Sequence, residues 1–235
     1  MNKLIVVTGG TKGIGRAVIE KFAGGGFDIF TCSRNEEELE RLRCEIEGAY
    51  KGTRVFTVKA DLSRKEDAFL FCKRVNETGR ATTVLVNNAG YFIPGELVTE
   101  QDGVLENMIN ANLYSAYHIT RGLIGAMIEV GTGHIFNMCS IASIKAYPNG
   151  GAYAISKFAL LGFSKCLREE VKTRGIRVTA VMPGATFTAS WEGSGLPEDR
   201  FMSPADVADA IFSCYSLSGR SVVEEILIRP QLGDI

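Results

Sequence analysis

Residues 3–7, KLIVV, form a short apolar run that breaks into Thr8-Gly9-Gly10-Thr11-Lys12-Gly13-Ile14-Gly15. An apolar pattern of period near four then continues through Ala23. Few folds accommodate that order. A continuous apolar run suits a strand buried on both faces, and a period near four suits a helix. Glycines between the two let the backbone approach a pyrophosphate at the helix N-terminus, where free N–H groups and the positive dipole end lie. A strand, a glycine turn and a helix at the head of a chain point to an α/β protein that binds a nucleotide.

The rest of the chain repeats the alternation. Strands are expected at 28–32, 54–60, 82–87, 134–138, 176–182 and 224–228. Helices are expected at 35–50, about 64–79, about 100–129, about 152–173 and from Ser203-Pro204, read as N-cap and first turn, to near Leu217. Strands alternating with helices make a doubly wound parallel sheet with helices on both faces. No linker, repeat or low-complexity tract interrupts residues 1–235, so a single domain is expected. Residues 185–203 read as a short loop that serves as a substrate lid.

Composition excludes several classes. A net charge of −1 gives no basis for nucleic-acid or acidic-membrane binding. No apolar run reaches transmembrane length, and the first residues lack the pattern of a signal peptide. The six cysteines are scattered without a C-x-x-C, as free thiols in a reducing cytoplasm would be. His118 and His134 are isolated, so no metal site is expected.

The chemistry concentrates in 140–157, SIASIKAYPNGGAYAISK. Tyr153 and Lys157 are one helical turn apart and share a helix face. An ammonium beside a phenol stabilises the phenolate and lowers its pKa from about 10 toward the working range. Such a phenol can protonate a carbonyl oxygen or deprotonate an alcohol. Ser140, after the expected strand 134–138, can hydrogen-bond the same oxygen. Taken alone, Tyr153 and Lys157 read rather as an amphipathic helix pair and Ser140 as a turn cap, since Y-x-x-x-K is a common spacing.

The ordered set TGGTKGIG (8–15), DL (61–62), NNAG (87–90), Asn112, Ser140, YAISK (153–157) and PGATFT (183–188) resembles the short-chain dehydrogenase/reductase family over nearly the whole chain. All but Asn112 and YAISK, which fall within expected helices, lie where a strand is expected to end. The resemblance is to carbonyl and 3-oxoacyl reductases, with sepiapterin reductases as the alternative within the family. It implies a Rossmann-type sheet of about seven strands in the order 3-2-1-4-5-6-7. It also implies hydride transfer between NADP(H) and a carbonyl or secondary alcohol. Ser140 is similar to the family's substrate-orienting serine, Tyr153 to its acid–base and Lys157 to its ribose-binding lysine. Asn112 resembles the asparagine that holds a helix kink and a water leading from the lysine to solvent. The ending IRPQLGDI and the short loop after Pro183-Gly184 depart from the family pattern.

Cofactor contacts are expected from Gly9, Thr11, Lys12, Gly13, Ile14 and Gly15 in the turn. Asp61 and Leu62 are expected near the adenine, Asn88, Ala89 and Gly90 at the adenosine side, and Pro183, Gly184, Thr186 and Thr188 near the nicotinamide. Asp61 also reads as a helix N-cap, Asn88-Ala89-Gly90 as a strand-ending turn, Asn112 as helix-surface polarity and Thr188 as a lid cap. NADP is expected over NAD because the end of the second strand reads Cys32-Ser33-Arg34-Asn35, with no acid before Glu36. Arg34 can grip a 2′-phosphate through its planar fork, with Lys12 and Ser33 assisting. Both cations read otherwise as solvated surface charges.

A largely apolar substrate pocket is expected from Phe92, Ile141, Ile144, Tyr147, Asn149, Phe187 and Trp191. Without an arginine clamp it suits a neutral carbonyl compound, an oxoacyl thioester or a pterin side-chain ketone. Tyr147 reads equally as lid core. Apolar residues on more than one face of the two long helices, among them Leu113, Tyr114, Tyr117, Leu123, Phe158, Leu161, Phe163 and Leu167, suggest a homodimer or homotetramer. The rival readings are a non-catalytic NADP-binding sensor or scaffold, and an epimerase or dehydratase. An intact Ser140–Tyr153–Lys157 set argues against the first, and the short chain after 182 against the second.

Overall fold

The computed structural model describes residues 2–188, 191 and 195–235. Seven strands form one parallel sheet: β1 (Leu4–Thr8), β2 (Asp28–Ser33), β3 (Val55–Lys59), β4 (Thr82–Asn87), β5 (Gly133–Met138), β6 (Ile176–Pro183) and β7 (Glu225–Ile228). Their order is β3-β2-β1-β4-β5-β6-β7, as expected. The order reverses beside β1, where β1 pairs with both β2 and β4. At such a reversal the loops leaving the strands diverge and open a crevice.

Side chains alternate along each strand and so split the core into two layers. Ile5 and Val7 of β1 face a cluster with Val18, Ile19 and Phe22 of α1 (Gly13–Gly24), Leu42 and Ile46 of α2 (Glu36–Ala49), and Val207 and Ile211 of α7 (Pro204–Ser216). Leu4 and Val6 face the other layer, with Phe71 of α3 (Lys65–Asn76), Ile119 and Leu123 of α5 (Ser115–Val130), and Leu167 of α6 (Gly151–Val171). The start of α7 is fixed by its sequence. Ser203 accepts from the Ala205 N–H, Asp206 accepts from the Ser203 N–H, and Pro204 occupies the first turn.

The long helix expected at 100–129 is interrupted. It divides into α4 (Val104–Ile109), a π-turn at Asn110–Tyr114, and α5. The apolar faces of the two long helices are also more divided than expected. Leu123, Leu161 and Leu167 are buried in the monomer core, whereas Tyr114 and Phe158 stay 47% and 46% exposed. The lid expected at 185–203 lies partly outside the described residues. No described helix is long and apolar enough to cross a membrane.

Candidate active site

The ends of β1 and β4 are bonded together at the sheet reversal. Thr8 Oγ1 accepts from the Asn88 and Ala89 N–H groups, both at 2.9 Å. Asn88 Nδ2 donates back to the carbonyls of Thr8 and Gly9 at 3.0 and 2.9 Å. This closeness explains Gly15, where a Cβ would stand 2.4 Å from the Gly9 oxygen and 2.5 Å from Asn88 Nδ2. The α1 N-terminus has no acid in its first turn, and no side-chain hydrogen bond caps it among the described residues. An uncapped, positively polarised helix end beside a groove fits a pyrophosphate.

That groove has two connected ends. One is a cavity of about 690 Å³ lined by Gly9, Thr11, Lys12, Gly13, Ser33, Arg34, Asp61, Leu62 and Ala89. The other is a cavity of about 520 Å³ lined by Ser140, Tyr153, Lys157, Pro183, Gly184 and Thr186. Ile14, Asn88, Gly90, Tyr91 and Thr188 line both. A continuous groove from Arg34 to Lys157 has the form an extended dinucleotide needs.

Ser140 leaves β5 and starts a short 3₁₀ turn at Ile141–Ser143. Its hydroxyl accepts from the Ala142 N–H at 3.1 Å, so Ser140 does cap a turn. The same residue and Tyr153 line one cavity. α6 carries Tyr153 and Lys157. Lys157 Nζ lies 5.7 Å from the Tyr153 ring centroid and donates to the Met138 carbonyl at 2.7 Å. Burial pushes the Tyr153 phenol above its usual range, and the Ser140 side chain pulls it partly back. Burial also pushes Lys157 down to about 8. Attraction between ammonium and phenolate is only one of two opposed effects at this pair. Removing both groups from water opposes it, because burial disfavours whichever form is charged.

Asn112 lies in the π-turn and is 1% exposed, which rules out surface polarity. Its Oδ1 accepts from the Tyr91 N–H at 2.9 Å, and its Nδ2 donates to the Tyr91 carbonyl at 3.1 Å. Nδ2 also donates to Ser156 Oγ at 2.9 Å, and Ser156 donates to the Tyr153 carbonyl at 2.7 Å. Gly90 permits this approach, since a Cβ there would stand 2.6 Å from Asn112 Oδ1 and 3.8 Å from Lys157 Nζ.

Phe92, Ile141, Tyr147 and Trp191 line the cavity that holds Tyr153. The Phe92 and Tyr153 rings meet edge to face at 4.9 Å. Burial pushes the Tyr147 phenol up to about 12. The structure does not bring Asn149 and Phe187 to this wall. Asn149 is exposed with φ 60°, and its carbonyl accepts from the Gly95 N–H at 3.1 Å. Phe187 turns its ring onto Phe201, 5.7 Å away. Asp61 accepts from the Ser63 N–H at 3.1 Å, whereas the N-cap position of α3 is Arg64. It therefore caps a turn before the helix and not the helix itself. Lys12 does not stand free over the groove, because it pairs with Glu38 at 2.7 Å.

Sequence reasoning missed Ser156, Glu38 and the segment at Asp234 and Ile235, and it expected the pocket to draw on 141–150 without singling out Lys145. Lys145, Asp234 and Ile235 line the Tyr153 cavity. Arg229 holds Asp234 at 2.9 and 2.6 Å, and Arg200 donates to the Gly233 and Asp234 carbonyls at 3.1 and 2.8 Å. The ending IRPQLGDI, which departs from the family pattern, thus folds beside the site. Only the Ser156 position, next to Lys157 in YAISK, carried a local signal.

The short chain dehydrogenase family model matches residues 3–198. A sepiapterin reductase from Chlorobaculum tepidum is 34% identical, over 100% of this chain and 99% of that enzyme. An alcohol dehydrogenase from Thermococcus sibiricus complexed with 5-hydroxy-NADP is 26% identical, superposes with a TM-score of 0.91, and is covered over 97% of its length by 98% of this chain. L-Sorbose reductase from Gluconobacter frateurii, complexed with NADPH and L-sorbose, has a TM-score of 0.90 at 26% identity, with 97% of this chain and 95% of that one covered. With the groove at the sheet reversal and the motifs in their order, these likenesses make the chain a member of the short-chain dehydrogenase family of oxidoreductases.

Proposed function

We propose that the chain is an NADP(H)-dependent reductase of a neutral carbonyl compound, acting through Ser140, Tyr153, Lys157 and Asn112. The observation that carries the reading is the shared cavity, in which a half-buried tyrosine, a buried serine and a buried lysine line one space at the end of the nucleotide groove. The glycine turn and the α1 N-terminus hold the pyrophosphate. Ser33 and Arg34 take the 2′-phosphate, Asp61 and Leu62 border the adenine, and Asn88, Ala89 and Gly90 offer backbone to the adenosine side. Pro183, Gly184, Thr186 and Thr188 flank the nicotinamide, and Lys157 binds its ribose. When bound, the cofactor supplies a hydride to the carbonyl carbon. Tyr153 gives the carbonyl oxygen its proton while Ser140 holds that oxygen by a hydrogen bond. Lys157 and the buried Asn112 lie on the path that returns a proton to Tyr153.

For the substrate, the ring-bearing wall of Phe92, Tyr147 and Trp191 favours a flat molecule, and the sepiapterin reductase relative supports a pterin side-chain ketone over an oxoacyl thioester. The chain works as a single domain and as a homodimer or homotetramer. A carbonyl panel containing sepiapterin, 3-oxoacyl thioesters and simple ketones, read by loss of NADPH absorbance, tests the reading. Turnover of the pterin ketone above the others supports it. No turnover of any carbonyl with bound NADPH would favour a sensor.

A further inference from the structure

The absence of an acid at the end of β2 argues for NADP, yet the structure brings one to the same place from the next helix. Glu38, in the first turn of α2, lines the groove end that holds Ser33 and Arg34. Its Oε1 pairs with Lys12 Nζ at 2.7 Å, and its Oε2 accepts from Thr11 Oγ1 at 3.1 Å. Two donors from the glycine turn therefore end on one carboxylate. Thr11 Oγ1 also reaches Ser33 Oγ at 3.4 Å, so the cluster spans both walls of the groove. The hydrogen bond from Lys12 holds the Glu38 carboxyl below its usual range, and it stays ionised at neutral pH. Arg34 has no ion-pair partner among the described residues.

We propose that Glu38 is a counter-charge built into the adenosine-ribose subsite, which neutralises Lys12 and so restrains the preference for a 2′-phosphate over a 2′-hydroxyl. The proposal rests on the NADP reading above. A phosphate dianion entering this end meets one unopposed cation, Arg34, and a neutral Lys12–Glu38 pair. A ribose 2′-hydroxyl meets a carboxylate able to accept its hydrogen bond, as an acid at the end of β2 would. Lys12 is 68% exposed and Glu38 is half-buried at 23%, so a Glu38→Gln variant leaves Lys12 unpaired and mobile enough to turn to a phosphate.

The test is calorimetric titration of NADPH and NADH into wild type, Glu38→Gln, Lys12→Met and the double variant. Gln keeps the size of the side chain and an oxygen for Thr11. Glu38→Gln should tighten NADPH about tenfold and leave NADH unchanged or weaker, about the Coulomb effect of one charge on a phosphate dianion in a solvated site. Lys12→Met leaves the Glu38 carboxylate unopposed, so it should cost about tenfold in NADPH affinity in wild type as in the Glu38→Gln background, and the double variant, with neither charge, should bind NADPH about as wild type does. A wild type that prefers NADPH, with a Glu38→Gln ratio unchanged or lowered, overturns this proposal and leaves the NADP reading intact. Lowering would mean that Glu38 instead orients Lys12 toward the phosphate. A wild type indifferent between the cofactors, with an NADPH-preferring Glu38→Gln, overturns the NADP reading and upholds the role of Glu38.

Discussion

Asn112 donates its side-chain amide to the hydroxyl of Ser156 at 2.9 Å, and both residues are fully buried. The bond ties the π-turn at 110–114 to the helix that carries Tyr153 and Lys157. Ser156 passes the constraint on by donating to the Tyr153 carbonyl. Ser156→Ala leaves the buried amide of Asn112 short of a partner and should cost about 1–3 kcal/mol of stability. It should slow turnover while leaving NADPH affinity unchanged. Urea unfolding and cofactor titration check both effects, and an unchanged unfolding midpoint would mean that the link is not structural.

Among the described residues, Arg34 is the cation without an ion-pair partner at the groove end that borders Ser33. Arg34→Asp replaces attraction with repulsion at the only group that distinguishes the two cofactors. It should weaken NADPH by roughly 1.4 kcal/mol or more, tenfold in dissociation constant, with NADH little affected. Equal losses for both cofactors would place Arg34 elsewhere.

His134 gives the fold an acid limit. Its ring stacks on Phe136 at 3.9 Å, and Nε2 pairs with Thr179 Oγ1 at 2.7 Å. Thr179 spends its own proton on the Val223 carbonyl, so the histidine Nε2 is the donor, while Nδ1 is buried without a hydrogen-bond partner among the described residues. Burial pushes its pKa from 6.5 down to about 3. Below pH 6.5 the unfolded chain therefore binds a proton that the folded chain refuses. Stability should be full above pH 6.5 and fall by up to about 1.4 kcal/mol per pH unit toward pH 3. Asp28, held below the usual carboxylate range against Arg54 and Arg80 despite its burial, acts only at lower pH. Unfolding free energies at pH 7, 5.5 and 4.5 check the slope, which a His134→Gln variant should flatten.

The exposed rings of Tyr114 and Phe158 sit on helices that otherwise turn their leucines inward. A two-fold partner covering them would account for their exposure. Light scattering at micromolar concentration should report a dimer or tetramer, and Phe158→Glu should shift it toward monomer. A monomeric wild type would remove this part of the account.

Much of this was legible in the residues. The seven strands and the placing of Gly9, Asn88, Ser140 and Pro183 at strand ends follow from alternating apolar periods and the motifs that end them, whereas the strand order came only from the resemblance to the family. The π-turn at Asn110–Tyr114 was legible only as the helix kink that the resemblance placed at Asn112, because nothing in the local composition shows it; the buried pairing of Asn112 with Tyr91 and Ser156 is visible in the structure alone. Glu38 was passed over because the reasoning stopped at Glu36, whereas helical geometry brings the residue two positions later back over the groove. Asp234 lies 81 residues from Tyr153 in a segment without a motif, so no local pattern could have placed it beside the cavity. The ionisation of Tyr153 and Lys157 was misjudged for another reason. Sequence names the partners of a charge and not the depth at which they are buried.

The account depends above all on the Tyr153 hydroxyl as the proton donor. Tyr153→Phe removes that oxygen and leaves the ring that packs edge to face against Phe92. The direct measurement is turnover of an accepted carbonyl by wild type and Tyr153→Phe, with NADPH affinity measured on the same samples. The account predicts a fall in kcat of about 10²–10⁴-fold with the NADPH dissociation constant within about twofold of wild type. Near wild-type turnover by the Phe variant would contradict it.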